Sequence, residues 1–171
     1  REGLSSAYRH LRELLTTFRL KIDDEGLEGA ILQTVNQLQA RSDMSIKLNY
    51  ALKDVPLNPS EEIHLLQILR EASQNATNHS QGTHLDISLI QLKDKSIELV
   101  IKDDGIGIEK SMAAKKEGNQ HHNSKGMELT KGRIELISKT SNKDCAIKGP
   151  YQVYDKSGKV AGTEVSIMLT L

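Results

Sequence analysis

The sequence predicts an α+β fold, because segments with helical periodicity alternate with strands that pair through short turns. Three observations indicate this class: amphipathic helical spacing near the start of the chain, two hairpin patterns, and a long helix rich in short amides. The 171 residues can bury a real core. Because only 3% of them are aromatic, aliphatic side chains must form that core.

The composition excludes several classes of protein. Lysine plus arginine equals aspartate plus glutamate at 23 each, so no net field draws the chain to nucleic acid or an anionic membrane. The single cysteine, Cys145, excludes an internal disulfide, and we expect it to be inert. No apolar run approaches the ~18 residues of a membrane span. Because the first residue is Arg1 rather than Met, we expect a fragment, with any membrane anchor upstream.

Apolar spacing and turn residues predict the elements of the first half of the chain. The predicted elements are an amphipathic helix over residues 4–22 ended by the DDEG segment at 23–26, a second helix over 27–41, a half-buried strand over 46–52, and a third helix over about 61–79. Ser60, followed by two glutamates, is predicted to cap the third helix.

The second half of the chain is predicted to form two hairpins, a loop and a helix. The predicted elements are an antiparallel hairpin of LDISLIQL (85–92) and SIELVIKD (96–103), a long mobile loop over 109–125, a helix over 129–140, and a hairpin from YQVY (151–154) through the DKSGK turn to TEVSIMLTL (163–171). The loop prediction depends on the polar composition of residues 109–125, which show no sustained period.

The segment Asp-Asp-Gly-Ile-Gly at residues 103–107 directly follows a predicted strand. The carboxylate of Asp103 can accept a hydrogen bond from an exocyclic amine of a purine. Gly105 and Gly107 let the backbone bend and approach a ligand closely. Taken alone, such a segment is more often an ordinary turn.

The third predicted helix has an apolar stripe beside a polar one. On an ideal helix, the side chains that should face the sheet are those of Leu65, Leu69, Ala72 and Ala76. The neighbouring polar stripe consists of Glu71, Asn75, Asn78 and His79. A carboxamide oxygen suits magnesium, and a carboxylate one turn away can orient an attacking group. A solvated polar face is the alternative, although such faces usually carry long charged residues.

The order of these motifs resembles the catalytic, ATP-binding domain of sensor histidine kinases. The matching segments are REASQNATNHS, the Asp-x-Gly-x-Gly segment, Lys-Gly-Met at 125–127 and Gly-Thr-Glu-Val at 162–165. That domain belongs to the ATPase superfamily shared with DNA gyrase and MutL, and residues 1–80 look most like the nitrate/nitrite sensor class. The resemblance implies a two-layer α/β sandwich, with a mixed, mostly antiparallel sheet covered by helices on one face and ATP under a lid loop.

The resemblance assigns roles to individual residues. It implies that Glu71 is the catalytic acid that polarises the nucleophile and that Asn75 is the magnesium ligand. The nucleotide contacts that it implies are Asn75, Asn78, His79, Asp103, Gly105, Gly107, Lys125, Gly126, Met127 and Thr163. Asp103 would read adenine with support from Thr163. Asn78 and Ser124 depart from the family pattern, which has a basic residue and a glycine at these places, and the segment 148–165 is longer than in the nitrate sensor class.

The resemblance also implies the domain organisation and the partners. Residues 1–25 would be a remnant of the second dimerisation helix, and residues 26–171 the catalytic domain. The γ-phosphoryl group of Mg-ATP would pass to a histidine outside this fragment, and then to the receiver domain of a response regulator. The intact kinase would be a homodimer. His10 lies in the second helix and is not nominated as the acceptor.

The sequence leaves two other functions open. One is a serine kinase of the anti-sigma type on the same fold, and the other is a nucleotide-binding interaction module without turnover. Two further signals in the predicted loop are weak. The pair His121-His122 lacks a third metal ligand at a suitable spacing, and Lys115 and Lys116 are as well explained by solubility as by phosphate contacts.

Overall fold

A computed structural model of the chain describes residues 26–53, 57–117, 125–141 and 143–170. The elements in chain order are helix α1 over residues 26–39, strand β1 (Ser45–Ala51), helix α2 (Pro59–His79), strands β2 (His84–Gln91) and β3 (Ile97–Asp103), helices α3 (Gly107–Glu117) and α4 (Lys125–Ser141), and strands β4 (Cys145–Tyr154) and β5 (Val160–Leu169). The helix predicted over 4–22 lies outside the described residues. In the part that is described, no helix is long and apolar enough to cross a membrane.

The five strands form one mixed sheet in the order β1-β2-β3-β5-β4. The strands β1 and β2 pair in parallel, and the other three neighbouring pairs are antiparallel. Alternation along β2 and β3 places one set of side chains in the core and the other outside. The core set includes Leu85, Ile87, Leu89, Ile97, Leu99 and Ile101. The predicted α+β sandwich with a mostly antiparallel sheet is therefore confirmed.

The helices cover the apolar face of this sheet. Leu65 and Leu69 of α2 are fully buried, Ala76 is 8% exposed, and Ala72 packs at the edge of the same cluster. Ile31 of α1 and Ile137 of α4 belong to the same core. The apolar stripe predicted for α2 is thus the side that faces the sheet. The polar stripe points away from it, toward the other helices and solvent.

Several predicted boundaries are wrong. The predicted loop over 109–125 is helical in its first part, since α3 runs to Glu117; its alanine and lysine residues are good helix formers even without an amphipathic period. α4 begins at Lys125, four residues before the prediction. The strand β4 begins at Cys145 rather than at residue 151. It tolerates Pro150 because it is an edge strand, and its register shifts between Lys148 and Tyr151.

The cap of α2 is Asn58, not the predicted Ser60. The Asn58 side chain accepts hydrogen bonds from the amides of Ser60 and Glu61, each at 3.0 Å, and the Glu61 carboxylate accepts one from the Asn58 amide at 2.8 Å. This is a reciprocal capping box. Glu61 is fully buried, and its Oε1 lies 2.8 Å from Nζ of Lys143, just before β4. Burial, and then the charge of Glu61, raise the pKa of the nearby Cys145 thiol to about 11.

We expect Lys143→Ala to lower the free energy of unfolding by about 3 kcal/mol, because it removes the lysine that pairs with the buried carboxylate of Glu61. Urea denaturation measures this change. The matched control is Lys139→Ala, which removes a lysine whose ion pair with Glu135 is on the surface. That pair should contribute less than about 1 kcal/mol. Equal losses in the two variants would show that the Glu61–Lys143 pair has no special role.

Candidate functional site

The carboxylate of Asp103 lies at the end of β3 on the core-facing side. Asp103 follows Ile97, Leu99 and Ile101 in the buried set of alternate residues and is 7% exposed. Its Oδ1 accepts a hydrogen bond from the Gly105 amide at 2.9 Å. Burial raises the pKa of Asp103, although hydrogen bonds from the amides of Gly105 and Thr163 oppose that rise. Aspartate side chains are seldom buried to this extent in proteins unless they are paired.

The next residue, Asp104, points the other way and is engaged in holding the backbone. Its Oδ1 accepts from the amides of Thr83 and His84 at 2.6 and 2.8 Å. Its Oδ2 accepts from the Thr83 hydroxyl at 2.8 Å and lies 2.9 Å from Nδ1 of His84. Burial acts to raise the pKa of Asp104, but these hydrogen bonds lower it well below its usual range. The two adjacent aspartates therefore have different environments, and Asp104 has a structural one.

Glycines let the loop after β3 lie against the end of α2. The Ile106 amide donates a hydrogen bond to the carbonyl oxygen of Ser80 at 2.8 Å. A Cβ added at Gly105 would lie 2.6 Å from Cβ of Ser80 and would overlap its carbonyl oxygen. Gly162, with φ +123°, lies directly over the carbonyl group of Asp103, which also leaves no room for a Cβ. No pattern in the sequence marks Gly162 as a packing residue.

Thr163 on β5 lies directly opposite Asp103 on β3. The two residues are direct partners in the β3–β5 ladder, and their side chains lie on the same face. The Gly107 backbone has φ +80°, and a Cβ there would meet Val160 and Gln152 at 2.6 and 2.7 Å. Gly107 thus packs against the β4–β5 hairpin at the start of α3. The structure brings Asp103, Gly105, Gly107 and Thr163 together at one end of the sheet.

The side chains of the polar stripe on α2 have different surroundings. Oε2 of Glu71 lies 2.5 Å from Nη1 of Arg133 on α4. Asn75 and His79 are exposed in the last turns of α2. Asn78 is also exposed and lines a shallow groove of about 70 Å³ between α1 and α2. The other lining residues of this groove are Thr34, Gln37, Leu38, Arg41, Ser42, Arg70, Gln74 and Thr77.

Arg133 is a residue of the site that the sequence analysis missed. Its Nε donates a hydrogen bond to Oε1 of Gln67 at 2.8 Å, in addition to the contact with Glu71. No spacing in the sequence reveals this contact, because the partners are more than sixty residues apart.

The segment Lys125-Gly126-Met127 forms the first turn of α4. The amides of a first helical turn have no partner within the helix and can bind an anion. Lys115 and Lys116 fall in α3, whereas Ser124 and the pair His121-His122 lie outside the described residues. Across the described ranges, no three histidine, cysteine or acidic side chains form a group that could hold a metal ion. Magnesium bound to a nucleotide does not need such a group, because phosphates and waters supply most of its ligands.

Comparison with known sequences identifies relatives among bacterial sensor proteins. The sensor protein NarQ homolog of Haemophilus influenzae is 42% identical over 107 residues, which cover 63% of this chain and 19% of that protein. The nitrate/nitrite sensor protein NarQ of Escherichia coli is 34% identical over 139 residues, which cover 81% of this chain and 23% of that protein. The chain thus spans about a fifth of the length of these relatives. The expected similarity to the nitrate/nitrite sensor class is confirmed.

Solved structures with the same fold include two histidine kinases. The histidine kinase domain of a blue-light activated kinase from Erythrobacter litoralis superposes with a TM-score of 0.60 at 14% identity, covering 92% of this chain and 70% of that one. The Acinetobacter baumannii histidine kinase AdeS gives 0.57 at 15% identity, covering 98% and 80%. The model of the family described as histidine kinase-, DNA gyrase B- and HSP90-like ATPases matches residues 60–171. The chain therefore belongs to this ATPase family.

Proposed function

We propose that the chain is the ATP-binding catalytic domain of a two-component sensor histidine kinase. The observation that carries this proposal is the buried Asp103 carboxylate, fixed beside the amide-rich end of α2 by the contact between Gly105 and Ser80. The similarity to NarQ supports the kinase class. Residues 1–25 would belong to the second dimerisation helix of a homodimer, whose parent protein would be anchored in the inner membrane. The domain would lie on the cytoplasmic side.

In this proposal the nucleotide lies along the polar stripe of α2. Asp103 would accept a hydrogen bond from the amine of adenine, and Thr163 would hold its carboxylate in place. Asn75 would hold magnesium through its amide oxygen, and the metal when bound would neutralise phosphate charge. His79 and the first turn of α4, with Lys125, Gly126 and Met127, would face the phosphates. Asn78 would lie at the edge of the nucleotide site, because it lines the groove between α1 and α2.

The proposed reaction transfers the γ-phosphoryl group to a histidine on the dimerisation helix. An imidazole nitrogen attacks the γ-phosphorus, the bond from phosphorus to the bridging oxygen breaks, and ADP leaves. Glu71 would orient the imidazole and accept its proton. The phosphohistidine would then donate the phosphoryl group to an aspartate of a response regulator. Because phosphoryl transfer depends mainly on positioning and charge, few residues need special chemistry.

The adenine assignment is tested by Asp103→Asn. The Asn side chain keeps an oxygen for the Gly105 amide but presents a donor to the amine of adenine. A hydrogen bond to a charged group contributes roughly 1.5–3 kcal/mol, so we expect affinity for a non-hydrolysable ATP analogue to fall about 10- to 100-fold. Isothermal titration calorimetry measures the affinity, with Asp86→Asn on the exposed side of β2 as the control. Unchanged binding by Asp103→Asn would refute the adenine assignment, and no binding by the wild type would refute the kinase proposal.

The raised pKa of Asp103 predicts that nucleotide affinity falls as the pH is lowered. The ionised carboxylate is a stronger acceptor for the amine of adenine than the protonated acid, and burial makes Asp103 take up a proton at a higher pH than an ordinary aspartate. Affinity should therefore fall as pH decreases through a range above the usual aspartate pKa. Fluorescence titration of a labelled ATP analogue across pH measures this fall. Asp103→Asn should bind weakly at every pH and should not show this fall. The same fall in both proteins would mean that a group other than Asp103 causes it.

The magnesium assignment predicts that a change at Asn75 weakens nucleotide binding only when magnesium is present. We expect Asn75→Ala to weaken binding of the ATP analogue about tenfold in magnesium and to leave it unchanged in EDTA, since only the metal contact is removed. Asn36→Ala, which removes an exposed amide from α1, is the matched control. An equal loss in both buffers would mean that Asn75 contacts the nucleotide directly and not through magnesium.

Phosphoryl transfer separates the kinase classes. A dimerisation hairpin carrying the phosphoacceptor histidine of a related sensor kinase is mixed with the chain and radiolabelled ATP. Acid-labile phosphohistidine would support the proposal. Acid-stable phosphoserine on a partner would indicate the serine kinase alternative, and binding without transfer would indicate the interaction module.

A further inference from the structure

Arg133 joins two turns of α2 to the middle of α4. Its side chain is 16% exposed and that of Glu71 is 27% exposed, so this contact is largely withdrawn from solvent. Nη1 contacts Glu71, and Nε donates to Gln67, which is itself 6% exposed. Gln67 and Glu71 are four residues apart and lie on one side of α2. The two contacts fix the plane of the guanidinium and, with it, the direction of the Glu71 carboxylate.

The contact requires an arginine rather than a positive charge alone. A guanidinium presents donors in a planar fork, so it can bind the Gln67 amide oxygen and the Glu71 carboxylate at the same time. A lysine would supply the charge from one nitrogen on a flexible stem and would not hold both partners in this geometry.

Arg133 also connects Glu71 to the proposed phosphate-binding turn. The first turn of α4 contains Gly126, and Arg133 follows seven residues later on the same helix. At 1.5 Å per residue, about 10 Å of helix separates them. A helix transmits displacement over this length with little deformation. A displacement of its first turn along the helix axis can therefore shift the guanidinium and, with it, the Glu71 carboxylate.

His64 reports on the same guanidinium without taking part in the chemistry. It lies one turn before Gln67 on α2, and its Nδ1 is buried. Burial, and then the charge of Arg133, lower the pKa of His64. We therefore expect removal of the Arg133 charge to raise the pKa of His64, which gives a spectroscopic measure of the charge at residue 133.

We propose that Arg133 is a positioning residue that aims the Glu71 carboxylate at the phosphoacceptor and couples it to the first turn of α4. This inference rests on the proposed kinase function. It assigns Arg133 no contact with the nucleotide. Its loss should therefore slow phosphoryl transfer while leaving nucleotide affinity nearly unchanged.

The test compares Arg133→Met, Arg133→Lys and Glu71→Gln with Lys131→Met, an exposed lysine on the same helix. Transfer to the supplied dimerisation hairpin is followed at saturating Mg-ATP. Misplacing a reacting group can cost about 100-fold, so we expect Arg133→Met to lose roughly that factor, with analogue affinity within about twofold of wild type. Arg133→Lys should lose an intermediate factor, because it keeps the charge without the fork. Lys131→Met should behave as wild type.

NMR titration of His64 in the same variants tests whether the positive charge at residue 133 has been removed. Its titration midpoint should rise in Arg133→Met and remain closer to wild type in Arg133→Lys. If Arg133→Met does not fold, Arg133→Lys tests the inference by itself. Phosphoryl transfer should then fall while affinity for the ATP analogue stays unchanged. Adding Arg133→Met to Glu71→Gln should cause little further loss, since Arg133 acts only through the carboxylate that Glu71→Gln removes.

Four results would overturn the inference. Full transfer by Arg133→Met would show that the carboxylate needs no positioning. Parallel loss of affinity and transfer would indicate a structural or nucleotide-binding role. Additive losses in the double variant would show that Arg133 acts independently of Glu71. If Glu71→Gln itself transfers normally while ATP still binds, the proposed catalytic role of Glu71 fails first, and the inference falls with it.

Discussion

The candidate site depends on the close approach of two backbones, those of the loop after β3 and the last turn of α2. The absence of a side chain at Gly105 allows this approach, and the hydrogen bond between Ile106 and Ser80 fixes it. The core packing of α2 and β3 alone would leave the ends of these elements free to separate. Their backbone contact sets where the amide-rich turn of the helix lies relative to the Asp103 carboxylate. A larger residue at position 105 would change the site even if every polar side chain were kept.

Burial gives the two neighbouring aspartates their different environments. Strand alternation turns Asp103 toward the core, where its pKa rises, and Asp104 toward the backbone that precedes β2. The carboxylate of Asp104 holds that backbone through two amides and a hydroxyl. The family resemblance assigns adenine recognition to Asp103 and not to Asp104. Alternation with period two allows only one of the pair to continue the buried stripe of β3, and that residue is Asp103.

The sequence predicted what depends on local periodicity and missed what depends on distant contacts. The hairpin of β2 and β3 and the apolar stripe of α2 follow from spacings of two and of three to four residues, and both are confirmed. α3 was missed because its residues favour a helix without forming an amphipathic pattern. The cap at Asn58 was missed because Ser60 offered a similar local signal. The contacts of Arg133 and Gly162 could not be inferred from spacing, since they join residues far apart in the chain.

Charged and polar contacts hold α2 along its whole length. Near its start, the buried Glu61 pairs with Lys143 at the entrance to β4. In its middle, Glu71 pairs with Arg133, and at its end the carbonyl oxygen of Ser80 accepts from the loop after β3. Apolar packing alone would let a helix rotate or slide slightly over a sheet, because such packing is not directional. These three contacts restrict both movements. The exposed side chains in the last turns of α2 therefore extend from a fixed helix, which is the condition a site needs when its chemistry depends on position more than on unusual reactivity.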